Sequence, residues 1–228
     1  MSSEPAIGGM NLPAAGIESL NALAQALDLG ETAAPLLRGL HAFYAEIDAE
    51  IAARAAPTSL PCAQGCDACC HESVFVSAPE FLGAAAALLA LGPEETRRVV
   101  AEMGLLAQRF ADELELLEVL SPGAERDEVA ARISFRCPLL STAGTCTIYG
   151  SRELNARSFG QTWDELRGEA YGCTLTHARL RVLPAEDGPR LYSAREARRR
   201  LVRSVPGAGQ VRVYPWWFER YGALLDVR

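Results

Sequence analysis

Four of the seven cysteines fall within nine residues, where Cys62, Cys66, Cys69 and Cys70 form the pattern C-x3-C-x2-C-C. The surrounding segment 57–73 contains two prolines and a glycine and has no apolar periodicity, so it predicts a loop. A loop of this kind has few apolar side chains with which to form a core. We therefore expect the thiols to hold this part of the fold together, either with one another or through a bound metal.

Disulfide bonding, core packing and metal ligation are three explanations for the cysteines. Disulfides are disfavoured because the cysteine count is odd and the N-terminal residues lack the basic start and apolar run of an export signal. We expect a cytoplasmic location, where thiols stay reduced. Core packing suits an isolated cysteine such as Cys173 but does not explain four in one polar loop. Metal ligation fits the short spacings, and thiolates suit zinc and a 4Fe-4S cluster equally.

Composition removes several classes of function. The 228-residue chain carries a formal net charge of −7, which repels phosphate backbones and argues against nucleic-acid binding. All 22 basic residues are arginines, so neither a Schiff-base lysine nor a Walker-type phosphate loop is possible. No apolar run approaches the roughly 20 residues that a membrane helix needs, so we expect no membrane span.

Apolar periodicity predicts a mainly α fold, with one helical domain over residues 17–228 after a flexible segment over residues 1–16. The cysteine loop is an irregular region inside this domain, and at most a few short strands are expected. A weakly alternating stretch, 132–138, predicts a short strand, and residues 179–183 and 190–192 predict a hairpin. The predicted helices cover 17–29, 34–56, 77–92, 94–120, a short stretch after Ser151, 162–168, a stretch after Gly172, 193–204 and a last segment from Pro215.

Further motifs extend the cysteine pattern across residues 60–175. They are, in chain order, Cys69-Cys70-His71, Val74-Phe75-Val76, Ser77-Ala78-Pro79-Glu80, Cys137-Pro138-Leu139-Leu140, Cys146-Thr147-Ile148-Tyr149, Arg157-Ser158-Phe159 and Cys173. This order resembles the CxxCxxCC cysteine-cluster family, also called YkgJ-like, whose members are described as zinc- or iron-chelating proteins. The resemblance implies a metal or iron–sulfur centre to which Cys137, Cys146 and Cys173 belong together with the loop cysteines.

The resemblance also implies roles for two arginines. Arg152 and Arg157 match the family motif, and they would donate hydrogen bonds to the sulfurs of an anionic cluster or to an anionic substrate. A plain salt bridge is the alternative for each. Some relatives are similar to flagellin lysine methylases, so a cluster-containing SAM-dependent enzyme is a further alternative, although the chain has no recognisable SAM-binding motif.

One segment departs from the family pattern. Where the family reads R-P-x-x-C-R, this chain has Glu153 in place of the proline and Ala156 in place of the cysteine. Three explanations for the missing thiolate stay open: the metal has an open coordination position, another residue serves as the ligand, or this position has no ligand role. The candidates for a swapped ligand are His177, His71 and Asp67. Of these, His177 lies four residues after Cys173 and would share a helix face with it.

The sequence thus predicts a metalloprotein that holds an iron–sulfur cluster or an iron centre and modifies or oxidises a small molecule or a peptide. The alternative from a different class is an interaction module folded around a structural zinc ion. The spacing C-x3-C-x2-C also occurs in the cluster loop of radical-SAM enzymes. The βα alternation that those barrels require is absent from this sequence.

Overall fold

The computed structural model describes residues 6–7, 10–165, 167–182 and 191–226. Helices dominate these residues, which confirms the prediction of a mainly α fold. The helices are α1 (Ala14–Ala26), α2 (Ala33–Ala55), α3 (Ala78–Ala90), α4 (Pro93–Arg109), α5 (Ala111–Val119), α6 (Ala124–Arg132), α7 (Leu154–Ser158), α8 (Thr174–Leu180), α9 (Ala194–Ser204) and α10 (Tyr214–Tyr221). Among the described residues, no helix is both long enough and apolar enough to cross a bilayer.

The strands are short and pair in three small sheets. They are β1 (Ala6–Ile7), β2 (Met10–Asn11), β3 (Phe75–Ser77), β4 (Thr162–Asp164), β5 (Glu169–Ala170), β6 (Tyr192–Ser193) and β7 (Val211–Val213). Strand β1 pairs with β2, and β3 pairs antiparallel with β7, placing Val76 opposite Arg212. Strand β4 lies between β5, which is antiparallel to it, and β6, which is parallel to it.

Helix α3 lies at the centre of the fold. Apart from Glu80, its side chains are apolar on every side, and the whole run from Ala78 to Leu89 is buried, as expected for a helix that is enclosed by other elements. The helix starts at the capping box that Ser77 forms with Glu80, which satisfies two otherwise unpaired backbone donors. The sequence predicted this start correctly, because the capping signal is local.

Aromatic side chains of α10 pack against α3 and hold the end of the cysteine loop in place. The ring of Trp217 stacks on Phe81 at 5.5 Å, and Phe218 meets Phe81 edge-on at 5.1 Å. The indole N–H of Trp217 also donates to the carbonyl oxygen of Val76 at 2.9 Å. Strand β3, which follows the cysteine loop, is therefore fixed to the main core.

Several sequence-based boundaries need correction. The predicted helix over 94–120 is divided at Phe110, which leaves the helical region (φ −111°, ψ 28°). The division lets α4 pack against α10 while α5 packs against α6. The predicted helix over 162–168 is wrong, because Thr162 to Asp164 form strand β4. Pairing with β6, a distant segment, overrides the local pattern there.

The predicted strand over 132–138 is also wrong, because no strand forms anywhere in those residues, all of which the structure describes. Their polar groups bond to the cysteine loop instead of to a sheet: the Cys137 N–H donates to the Cys70 carbonyl at 2.7 Å, and the Ser134 hydroxyl donates to the His71 carbonyl at 3.2 Å. These bonds bring the late cysteines to the early ones.

The remaining differences are at the N-terminus and at the predicted hairpin. Leu12 is fully buried and α1 begins at Ala14, earlier than the end of the predicted flexible segment. Residues 1–5 and 8–9 of that segment lie outside the described residues. The first arm of the hairpin is wrong because Arg179 is helical, in α8, and most of the rest falls on 183–190, outside the described residues.

Candidate metal centre

A cavity of about 40 Å³ lies between the cysteine loop, the segment 135–148 and the start of α7. Four thiols from two distant parts of the chain line it, those of Cys69, Cys70, Cys137 and Cys146. The other lining side chains are mostly apolar. The cavity, which we call the thiol cavity, therefore combines soft donor atoms with a largely apolar wall.

Local hydrogen bonds position the thiols of the cysteine loop. Residues 68–71 form one turn of 3-10 helix, and the Cys70 N–H donates to the Asp67 carbonyl at 2.8 Å. Cys70 is buried, whereas Cys69 beside it is only half-buried. The turn therefore directs one of the adjacent cysteines inward, and the backbone bond between Cys137 and Cys70 joins it to the second segment.

A tight turn presents the other two thiols. Leu140 and Cys146 form an isolated antiparallel bridge, and the N–H of Thr147 donates to the carbonyl of Leu139 at 2.9 Å. Gly144 closes the turn with a φ of +76°, a conformation that favours glycine. Arg98 of α4 donates to the Pro138 carbonyl at 2.8 Å and anchors the turn to the helical core.

The sulfurs of Cys137 and Cys146 have matching environments. Burial raises the pKa of Cys137 to about 12 and the pKa of Cys146 to about 11. In each case the backbone N–H two residues later, of Leu139 or Ile148, bonds to the sulfur and lowers the pKa in part. The N–H groups favour a thiolate, while burial favours the neutral thiol until a cation enters the cavity.

The adjacent loop cysteines interact directly. The Cys70 thiol bonds to the sulfur of Cys69, which lowers the pKa of Cys69 and raises that of Cys70 above its usual value. Burial and the charges of Cys69, Cys137 and Cys146 raise the pKa of Cys70 further. The four thiols thus form one electrostatically connected group.

Cys62, Cys66 and Cys173 form a second group beside the first. Burial raises the pKa of Cys62, the charge of Arg152 lowers it, and the charges of Cys66, Cys69 and Cys173 raise it again. The Gln161 side-chain amide donates to the Cys62 sulfur at 3.5 Å. Cys69 therefore interacts with both groups.

Gly160 lets the chain pass close to Cys173. It has a φ of +72°, and a Cβ atom there would lie 2.8 Å from the Cβ of Cys173 and 2.8 Å from the hydroxyl oxygen of Thr176. The hydroxyl of Thr176 donates to the Gly160 carbonyl at 2.9 Å. The glycine is thus required by both the backbone conformation and the packing.

We expect Gly160→Ala to lower the free energy of unfolding by roughly 1–3 kcal/mol, because the methyl group meets Cys173 and the left-handed backbone is strained. Gly104→Ala is the matched control. No heavy atom lies within 4 Å of a Cβ placed at Gly104, inside α4, so this variant should gain up to about 1 kcal/mol. Urea unfolding measures both changes, and equal stability of the two variants would contradict the prediction.

The three predicted replacement ligands do not line the thiol cavity, to judge from the described residues around it. The His177 Nε2 atom lies 2.6 Å from the carbonyl oxygen of Ala170, and its Nδ1 atom lies 4.0 Å from Glu169. His71 and Asp67 form an exposed pair at 3.4 Å. In this structure, each of these side chains therefore has a local partner outside the cavity.

The two predicted arginines have different surroundings. Arg157 is buried and forms an ion pair with Asp48, and it donates from Nε to the Arg152 carbonyl at 2.7 Å, so it has the plain salt bridge that was the alternative. Arg152 lines the thiol cavity. Its guanidinium lies 3.7 Å over the ring of Tyr149, which holds the charge near the thiols.

Sequence reasoning overlooked Glu153 as a functional residue. Its side chain lines the thiol cavity, it is only 4% exposed, and the Tyr214 hydroxyl donates to it at 2.9 Å. Burial raises the pKa of its carboxyl group. The signal available in the sequence was the departure from the R-P-x-x-C-R pattern, in which Glu153 replaces the proline and Ala156 replaces the cysteine. These two residues lie three positions apart, and both line the thiol cavity.

The thiol cavity has the donors for a metal but not yet the geometry of a bound centre. Among the described residues, no three His, Cys, Asp or Glu side chains are already arranged as a metal-binding group. The donor chemistry fits a soft or borderline metal, since four cysteines line the cavity together with two carboxylates, those of Glu72 and Glu153. Binding would require the sulfurs to turn toward one another within the cavity.

The chain matches no known protein family, no curated protein and no solved structure. The resemblance to the CxxCxxCC family therefore stays a prediction from the motifs. The cysteine loop also has three residues in its first interval, where that pattern has two.

Proposed function

We propose that this protein is a thiolate-ligated metalloprotein whose metal is bound in the thiol cavity by cysteines of the 3-10 turn and of the segment 135–148. One observation carries the proposal: Cys69 and Cys70 line the same cavity as Cys137 and Cys146, which are distant from them in sequence. Bringing buried thiols together contributes little to stability when they share no partner. Thiolates around a cation are different, because the cation neutralises their charge and its binding adds to the free energy of folding.

The preferred cofactor is an iron–sulfur cluster or a thiolate-bound iron. Hydrogen bonds from backbone N–H groups to ligand sulfurs tune such centres, and the Leu139 and Ile148 N–H groups supply two. The apolar wall limits access of water, which also affects the reduction potential. Arg152 supplies the positive charge that would attract an anionic substrate.

On this proposal the protein carries out redox or metal-dependent chemistry on a small molecule or a peptide in the reducing environment of the cytoplasm. Cys62, Cys66 and Cys173 lie beside the thiol cavity and would hold a second centre or support the first. Structural zinc is the second candidate, because four cysteines around one cavity match the four-cysteine ligand set of closed structural zinc sites.

Metal analysis of anaerobically purified protein tests the proposal. We expect iron, matched by acid-labile sulfide if a cluster is present, together with broad visible absorption. Iron without sulfide would support a mononuclear thiolate centre. Zinc in colourless protein would remove the redox function and support the structural module, and protein that holds none of these metals after reconstitution would contradict both.

A further inference from the structure

Two glutamates, Glu80 and Glu153, are buried in the centre of this protein, and among the described residues only Glu80 forms an ion pair. Glu80 is 1% exposed and lies at the start of α3. Its carboxylate accepts hydrogen bonds from several donors and pairs with an arginine. The partners are the Ser77 N–H at 3.0 Å, the Ser77 hydroxyl at 2.6 Å, the Leu154 N–H at 2.7 Å, the Tyr44 hydroxyl at 3.4 Å and Arg198 at 3.3 Å.

Glu153 has no comparable set of partners. Its carboxylate accepts hydrogen bonds from the Tyr214 phenol and from its own backbone N–H, and no ion pair to it occurs in the part of the chain that the structure describes. A buried carboxylate without a cation is costly, because its charge has lost its water and gained little in return. The thiol cavity is the space that Glu153 faces.

We propose that Glu153 is an oxygen ligand of the metal bound by Cys70, Cys137 and Cys146. This inference rests on the proposed function, since it needs a metal in the thiol cavity. Glu153 immediately precedes α7, and Ala156 of that helix also lines the cavity but presents only a methyl group. At the start of α7, Glu153 is therefore the residue whose side chain can coordinate a metal in the cavity.

Cys69 is assigned to the neighbouring group. Cys69 and Cys70 are adjacent in the 3-10 turn, and the Cys70 thiol donates a hydrogen bond to the Cys69 sulfur. Cys70 is the buried one, and Cys69 also interacts with Cys62. A centre of three thiolates and one carboxylate follows, in which the two adjacent cysteines serve different groups.

A carboxylate ligand changes what the centre can do. Oxygen is a harder donor than thiolate and is less well matched to a soft metal, so this position is the one most readily given up to a substrate. Catalytic metal sites keep such an exchangeable position, whereas structural sites are closed by four firm ligands. The substrate class that fits is a small anion, which Arg152 would receive at the cavity.

Cobalt(II) titration of the metal-free full-length protein tests the inference through the optical spectrum, without an activity assay. We expect the natural chain to bind Co²⁺ with thiolate-to-cobalt charge transfer. Glu153→Gln should weaken binding at least tenfold and shift the ligand-field bands. Glu18→Gln is the control, because it removes the same charge from an exposed position of α1 outside the cavity lining, and its affinity should stay within about twofold.

The double variant Glu153→Gln, Ala156→Cys should recover tight binding with stronger charge transfer, as a four-thiolate site would. If Glu153→Gln is not folded by far-UV circular dichroism, Glu153→Asp replaces it, with a similar spectrum and weaker binding expected. Unchanged affinity and spectrum in the Glu153 variant would overturn this inference and leave the proposed function intact. Absence of Co²⁺ binding by the natural chain would instead overturn the proposed function.

Discussion

The double variant Cys137→Ser, Cys146→Ser is expected to lose the metal of the thiol cavity completely. These two sulfurs are held on one turn and receive backbone N–H bonds, so they form a preorganised pair of ligands. A serine hydroxyl is not deprotonated at neutral pH and is a poor ligand for soft metals. Elemental analysis of metal per chain, on protein purified anaerobically, measures the loss.

Cys173→Ser is the control for that experiment. Cys173 is buried and lies beside Gly160, away from the lining of the thiol cavity. The cavity metal should therefore remain when Cys173 is changed, even if a second centre is lost. Full metal content in the double-serine variant would show that Cys137 and Cys146 are not ligands.

The second large effect is expected on stability. Glu80→Ala should lower the free energy of unfolding by about 3–5 kcal/mol, because it leaves Arg198 without its buried partner and several donors unpaired. Glu80, in α3, is connected to β3 through Ser77, to α7 through Leu154 and to α9 through Arg198. Urea unfolding followed by far-UV circular dichroism measures the change.

Glu196→Ala is the matched control for Glu80→Ala. Both glutamates are the fourth residue of an S-A-x-E segment at the start of a helix, but Glu196 is 40% exposed and pairs with Arg203 on the surface. Loss of such a pair costs less than about 1 kcal/mol. Equal losses in the two variants would mean that the helix-start position, and not the buried network, gives Glu80 its effect.

Much of the fold follows from signals that act within a few residues. The Ser77 to Glu80 segment starts α3, Ser193 accepts from the Glu196 N–H at the start of α9, and Pro93 opens α4. These elements could be read from the sequence because capping and proline geometry depend on neighbouring residues only. Strand β4 could not, because its partner β6 is far along the chain.

The candidate site divides in the same way. Its cysteines could be named from spacing and motif, but the grouping of Cys70 with Cys137 and Cys146 depends on packing between distant segments. The division of roles between Arg152 and Arg157 also required the structure, because only burial and the contact with Asp48 distinguish them.

The sequence alone determined that the chain is mainly helical and carries a concentrated set of thiols in an irregular loop, because periodicity and residue type are local properties. Tertiary structure alone decided which thiols share a cavity and that the Glu153 carboxylate faces them. The reason is that folding brings together groups that are distant in sequence and removes them from water. A charge buried in this way is costly unless another group pairs with it.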